Sequence, residues 1–275
     1  MFDDLDHHAL RALLEWQVEL GATEAIGDVP VNRYELADSP PRQPAVTAPA
    51  APKQDSQAVP SAASAQPAMP AHEVDPVQAA REAAAAAADL AALESAVQAF
   101  SFCDLKRGAR SAVFADGNPA ARVMIVGEAP GRDEDIEGRP FVGRAGRLLD
   151  RMFDAIDMAR DATDAERALY ITNISPWRPP QNRNPEPDEI AMLMPFVARH
   201  VELAAPDVLV LMGNVACQAL LGRGGITRLR GTWAEVLGRP ALPMYHPAYL
   251  LRTPAAKREA WADLLALRAH LKGAD

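Results

Sequence analysis

A backbone turn, a side-chain amide, an aromatic ring and a histidine stand at points of this chain where each could touch a ligand. The turn is Gly127-Glu128-Ala129-Pro130-Gly131, directly after the strand-like run 121–126. Gly and Pro at the end of a strand expose backbone N–H groups and bring the main chain close to a ligand. Asn173 ends a second strand-like run, and His246-Pro247-Ala248 makes another turn about 120 residues after the first. Phe141 lies between them in Gly138-Arg139-Pro140-Phe141-Val142-Gly143. An amide offers a donor and an acceptor together. A ring stacks on a flat heterocycle, and an imidazole hydrogen-bonds a leaving group. These are the parts needed to hold a nucleobase outside its helix.

Each group also has a plainer reading when taken alone. The turn reads equally well as a tight β-to-α connection, Phe141 as a core aromatic, Asn173 as a strand-end cap and His246 as a structural residue before Pro247. The turn is neither the G-x-G-x-x-G of a dinucleotide site nor a P-loop, which ends in Gly-Lys-Ser/Thr. No Ser/His/Asp triad order, zinc-ligand spacing or covalent nucleophile stands out.

The elements that must position these groups alternate. Strand-like runs cover 122–127, 168–173, 207–213 and 241–245, and helical patterns cover 145–158, 187–203, 214–222 and 255–271. Such alternation predicts an α/β fold: three layers, α/β/α, around a mostly parallel four-stranded sheet. Ligands of such sheets bind beyond the carboxyl ends of the strands. Gly127, Asn173 and His246 all fall at such ends.

A helical N-terminal extension precedes this core. Residues 77–99 are Ala-rich, with Leu90, Leu93, Val97 and Phe100 along one stripe, which predicts one helix docked on the core. Residues 40–76 hold nine prolines and no Leu, Ile, Phe, Trp or Tyr. That composition cannot bury enough apolar surface to offset its ordering entropy, so a disordered linker is expected. Within residues 1–39, a short helix is expected over 4–20, with Leu10, Leu13, Leu14 and Val18 on one face. The core domain is thus placed at 77–275.

The net charge of −9 belongs to the N-terminal region: residues 1–100 carry 15 acidic and 5 basic side chains, and residues 101–275 carry 22 and 23. Near neutrality of the core leaves room for local arginine patches on nucleic acid and predicts modest non-specific affinity. No apolar run reaches the roughly 18 residues of a membrane span. The acidic start, Met1 to Asp6, lacks the features of a signal peptide. A cytoplasmic monomer with no membrane contact is the expectation.

The motifs together resemble the family 4 uracil-DNA glycosylases of the uracil glycosylase superfamily, over roughly residues 100–272. The best-matching stretches are Val126 to Gly131, Glu134-Asp135, Gly138 to Gly143, Ala145 to Leu149, Tyr170 to Asn173, Arg178 to Arg183 and His246 to Leu250. The resemblance implies a repair enzyme that flips uracil out of DNA and hydrolyses its N-glycosidic bond, with water as acceptor of the sugar. It implies that Gly127 and Ala129 line the uracil pocket, that Phe141 stacks on the base and that Asn173 reads uracil O4 and N3–H. It implies that His246 donates to uracil O2 and that Glu128 and Glu134 serve catalysis, positioning water or bracing the turn. Among DNA contacts, Leu251 and Arg252, with Leu250 beside them, match the place where superfamily members insert a side chain into the emptied stack. Arg178 and Arg183 are candidates for phosphates, as are Arg228 and Arg230, each of which reads equally as a solvated surface residue. The competing readings are a silent relative that binds without cleavage, and an adaptor whose N-terminal helix recruits a protein partner.

The cysteines depart from the family. Its members generally hold an iron–sulfur cluster on four cysteines. Here Phe100-Ser101-Phe102-Cys103 stands where a C-x-x-C is expected, Trp177 replaces the third ligand, and Leu193 or Met194 the fourth. Cys217 matches no ligand position. One thiolate cannot hold such a cluster, so no cofactor is expected, and Phe100, Trp177 and Leu193 are expected to fill its volume.

The N-terminal segment carries the sign of DNA, which argues for a protein partner and against a DNA arm. A chain shortened to begin near residue 77 should keep its fold and its activity on oligonucleotides. Loss of either in a melting and base-release assay would make the segment integral to the domain.

Overall fold

The core is organised by strands whose side chains are buried on both faces. In the computed structural model, which describes residues 75–273, all five residues of Val123–Gly127, Leu169–Asn173 and Val208–Met212 are buried. Continuous apolar runs of this kind suit a parallel sheet covered on both sides. Six strands form the sheet: β1 (Asp116–Gly117), β2 (Val123–Gly127), β3 (Leu169–Asn173), β4 (Val208–Met212), β5 (Ala234–Val236) and β6 (Arg239–Met244). Their order is β1-β3-β2-β4-β6-β5, and the pairs among β3, β2, β4 and β6 are parallel.

The expected four strands are therefore the central four, and the count of four is corrected to six. The two additions are antiparallel edges, too short to show a periodic pattern. β1 is two residues long. Gly117 has φ +99°, and a Cβ there would lie 2.1 Å from the Leu169 carbonyl oxygen. β5 returns to β6 through Leu237-Gly238, both at positive φ, the geometry of a two-residue hairpin turn.

Alternation along the strands separates two cores. Val123, Ile125, Ile171, Val210 and Leu242 face one layer, built from α-helices that include Gly143–Asp154 and Lys257–Gly273. Met124, Val126, Tyr170, Leu209 and Leu211 face the other, which takes Val197 and Val201 from Pro187–Ala204 and Cys217 from Asn214–Leu221. In chain order the helices used below are α1 (Pro76–Ala86), α2 (Leu90–Ala99), α3 (Arg132–Glu137), α4 (Gly143–Asp154), α5 (Pro187–Ala204), α6 (Asn214–Leu221), α7 (Pro247–Arg252) and α8 (Lys257–Gly273). None of them is long and apolar enough to cross a membrane.

The single helix expected over 77–99 is two. Asp89 accepts the Ala92 N–H at 2.8 Å and so caps α2, ending the continuity with α1 at Ala87. Asp75 caps α1 in the same way through Val77. The expected helix over 4–20 and the Pro/Ala-rich segment as far as residue 74 lie outside the described residues.

A third core joins α1 and α2 to α5. Phe100, Cys103, Trp177, Leu193 and Phe196 share it with Leu93 and Val97. Phe100 and Phe196 meet edge to face at 5.2 Å, and Trp177 is 2% exposed. Apolar burial contributes roughly 25 cal/mol per Å², and truncating a buried Trp typically costs about 3–5 kcal/mol. Trp177→Ala should lower stability by that order in denaturant titration. An unchanged midpoint would show that this cluster does not hold the helices to the core.

Candidate active site

The four parallel strands end on one side of the sheet, and a cleft of about 570 Å³ opens there. The turn after β2 is fastened to the chain leaving β3. Ile174 N–H donates to the Gly127 carbonyl and Ser175 N–H to the Glu128 carbonyl, each at 3.0 Å. Gly127 is needed for what approaches it. A Cβ there would lie 2.3 Å from Asn173 Oδ1 and 2.6 Å from the Phe141 ring. A second glycine does the same after β4. Gly213 has φ +95°, and an added Cβ would press on the His246 Cβ at 3.1 Å.

The structure brings Gly127, Glu128, Ala129, Glu134, Phe141, Asn173 and His246 to one cleft. Asn173 is 6% exposed, and its side-chain amide makes no hydrogen bond among the described residues. A buried amide with donor and acceptor both unused is suited to a ligand with the opposite pattern. Phe141 holds φ +51°, a left-handed backbone rare outside glycine, and its ring stacks on His246 with centroids 5.3 Å apart.

His246 caps α7. Its Nδ1 accepts the Ala248 backbone N–H at 3.2 Å. A backbone N–H can only donate, so Nδ1 carries no proton and the neutral ring bears its hydrogen on Nε2. Burial, aided by the nearby charge of Arg252, pushes the imidazole pKa down to about 4. His246 is therefore a neutral Nε2–H donor at ordinary pH.

The two glutamates differ. Glu134 accepts the Gly131 N–H at 3.0 Å and braces the turn at the start of α3. Glu128 makes no hydrogen bond through its carboxylate among the described residues and lines the cleft. Burial raises the pKa of both; backbone donors, including Gly131, act against it at Glu134.

The candidate DNA contacts divide. Arg252 is exposed and forms no hydrogen bond or ion pair among the described residues. Leu251 is partly buried against the core, whereas Leu250 is fully buried and belongs to it. Arg178 donates to Asn182 at 2.8 Å. Arg183 lies at the cleft but grips Glu189 with two bonds of 2.7 and 2.8 Å. Arg230 is held by the buried carboxylate of Asp263 and by the Glu259 carbonyl, and Arg228 is exposed. Arg160 and Gly213 went unread in the sequence. Gly213 closes a strand-like run, a usable signal; Arg160 has no local signal.

The sequence model of the Uracil DNA glycosylase superfamily matches residues 114–265, which hold every one of these cleft residues. The chain belongs to that superfamily. A type-4 uracil-DNA glycosylase of Archaeoglobus fulgidus is 38% identical over 170 residues, covering 58% of this chain and 82% of that protein. The type-4 enzyme of Thermotoga maritima is 37% identical, covering 57% and 80%. That of Sulfurisphaera tokodaii is 34% identical, covering 65% and 83%.

The family's iron–sulfur cluster does not fit the side chains of this superfamily member. Where it would lie, Cys103 is the one thiol among Phe100, Trp177, Leu193 and Phe196. Cys217 belongs to a different core, on α6. Among the described residues no three His, Cys, Asp or Glu side chains gather as metal ligands.

The depressed imidazoles carry a pH signature. His246 and the buried His200, which contacts the Tyr170 hydroxyl at 2.8 Å, both fall from 6.5 to about 4 in the fold. Between those values the unfolded chain holds more protons, so stability rises with pH. The contribution is complete above 6.5, is lost as pH falls, and is gone near 4. Melting temperatures across this window should climb less steeply for His246→Gln than for the parent. Equal slopes would mean that His246 titrates normally.

Proposed function

We infer that this protein is a DNA-repair hydrolase that removes uracil from DNA, and that the cleft above the sheet receives the extruded base. The observation that carries the reading is the meeting of an unpaired amide, an aromatic ring and a neutral Nε2–H donor around one glycine turn. Membership of the superfamily and the activity for which the type-4 relatives are named support it.

The chemistry follows from charge development. The bond from sugar C1′ to the uracil nitrogen breaks, the sugar becomes cationic, and the base departs as an anion. Water supplies the hydroxyl that replaces the base and the proton that the base finally takes. A donor at uracil O2 strengthens as negative charge builds there, so it stabilises the transition state more than the ground state. His246 supplies that donor. Being neutral, it stabilises the anion by a hydrogen bond and needs no proton of its own to be lost. Asn173 selects uracil, whose O4 accepts and whose N3–H donates; cytosine reverses both. Phe141 stacks on the base, an interaction of roughly 1–3 kcal/mol. Glu128, unpaired and facing the cleft, orients the attacking water, while Glu134 holds the turn.

Arg252, exposed beside the His246 turn, and Leu251 next to it contact the DNA. Arg178 reaches a phosphate, and Arg183, tied to Glu189, braces the rim. The protein acts without an iron–sulfur cluster, its place taken by Phe100, Trp177 and Leu193. Iron analysis should find no stoichiometric metal; one cluster per chain would overturn this.

Release of uracil from single-stranded and paired oligonucleotides tests the activity. His246→Ala should slow turnover by about 10²–10³-fold with much less effect on binding. Equal losses in both would assign His246 a structural role. Asn173→Asp should weaken selectivity for uracil, because an ionised carboxylate cannot donate to O4. Unchanged uracil turnover in that variant would remove Asn173 from the pocket.

A further inference from the structure

Phe141 is held in a backbone conformation that a phenylalanine does not adopt by preference, at φ +51°. Such a conformation persists only where surrounding structure enforces it. One side chain binds the carbonyls of both Pro140 and Phe141. Arg160 is 14% exposed and makes five nitrogen-to-oxygen contacts. Its Nη1 donates to the Pro140 carbonyl and its Nη2 to the Phe141 carbonyl, each at 2.9 Å. The other three reach carboxylates: Nη1 to Asp116 at 2.9 Å, and Nε and Nη2 to Asp150 at 2.9 and 2.7 Å. A guanidinium has five N–H groups, so the contacts match its donors in number.

We propose that Arg160 is a positioning residue that fixes the Phe141 ring in the cleft. It never reaches the cleft itself; it grips two successive carbonyls of the loop from behind. On the other side, Gly146 of α4 lies so close that a Cβ there would sit 1.8 Å from the Phe141 carbonyl oxygen. The carbonyl is thus trapped between a charged fork and a bare glycine. Asp116 and Asp150 aim the fork, one from the edge strand β1 and one from α4. Lysine cannot replace it, because an ammonium has three donors around a point charge and no planar fork.

The proposal rests on the reading that Phe141 stacks on the extruded base, and a double-mutant cycle separates the two. kcat/KM for uracil release from a single-stranded oligonucleotide is measured for the parent, R160Q, F141A and the double variant, with melting temperatures to verify folding. Phe141→Ala should lower kcat/KM. Arg160→Gln should lower it on the order of tenfold, about 1.4 kcal/mol, within the range of one base–ring stack. The double variant should be no worse than F141A, because Arg160 has nothing left to position. R160K should recover little. Losses that multiply, or a parental kcat/KM in R160Q, would overturn the proposal. A parental kcat/KM in F141A would remove the stacking reading itself, and the proposal with it. Should R160Q fail to fold, the same cycle run with R160K decides the matter.

Discussion

A side chain at Gly127 would occupy space that Asn173 and Phe141 already use, at 2.3 and 2.6 Å from the position of its first carbon. The rest of the site depends on that vacancy. β2 is central in the sheet, paired to β3 on one side and β4 on the other. Its end therefore cannot move away to relieve a clash. With glycine there, the amide at the end of β3 and the ring arriving from the loop before α4 converge on the same point. Gly213 and Gly146 repeat the device for His246 and for the Phe141 carbonyl. Close approaches at these three glycines, to two side chains at Gly127, to a backbone carbonyl at Gly146 and to the His246 side chain at Gly213, bring the ring, the amide and the imidazole together.

Electrostatics inside the cleft follow from the same crowding. Burial drives His246 neutral and raises the glutamates, so the interior disfavours charge on its own groups. On the proposed function, a polar but uncharged base would enter such a space without displacing an ion pair, and the anion formed on leaving would meet a donor already oriented. Cations are used differently. Arg160, Arg183 and Arg230 are each committed to carboxylates and serve as braces, while Arg252 stays free at the surface. This division shows how a near-neutral domain can present positive charge locally while committing arginines such as these three to internal geometry.

Away from the cleft, the Phe100–Trp177–Leu193 core has its own part in positioning. Trp177 follows Ser175, whose N–H binds the Glu128 carbonyl, and Ser175 Oγ donates to the Trp177 carbonyl at 2.9 Å. The apolar cluster that anchors α1 and α2 is therefore one short hydrogen-bonded link from the turn after β2. Hydrophobic packing of Phe100, Trp177 and Leu193 does the fastening at that place.

Period and punctuation in the sequence were enough to place the four central strands within two residues and to put Gly127, Asn173 and His246 at their carboxyl ends. Burial on both faces leaves a continuous apolar run, and a turn must follow it, so these features are local and legible. The edge strands were not, because β1 and β5 are two and three residues long and exist only by pairing with a neighbour. The break at Ala87 was also missed, since alanine favours helix on either side and Asp89 decides by capping. Phe141 could be named from its motif, but not its strained backbone. Arg160 could not be named at all, for its partners lie 10 to 44 residues away in sequence. Residue type and spacing determined which chemical groups stand at the ends of strands. Only the tertiary structure decided which of those groups are left unpaired for a ligand and which are consumed in holding the others still, because that depends on long-range hydrogen bonds and close packing that no local pattern encodes.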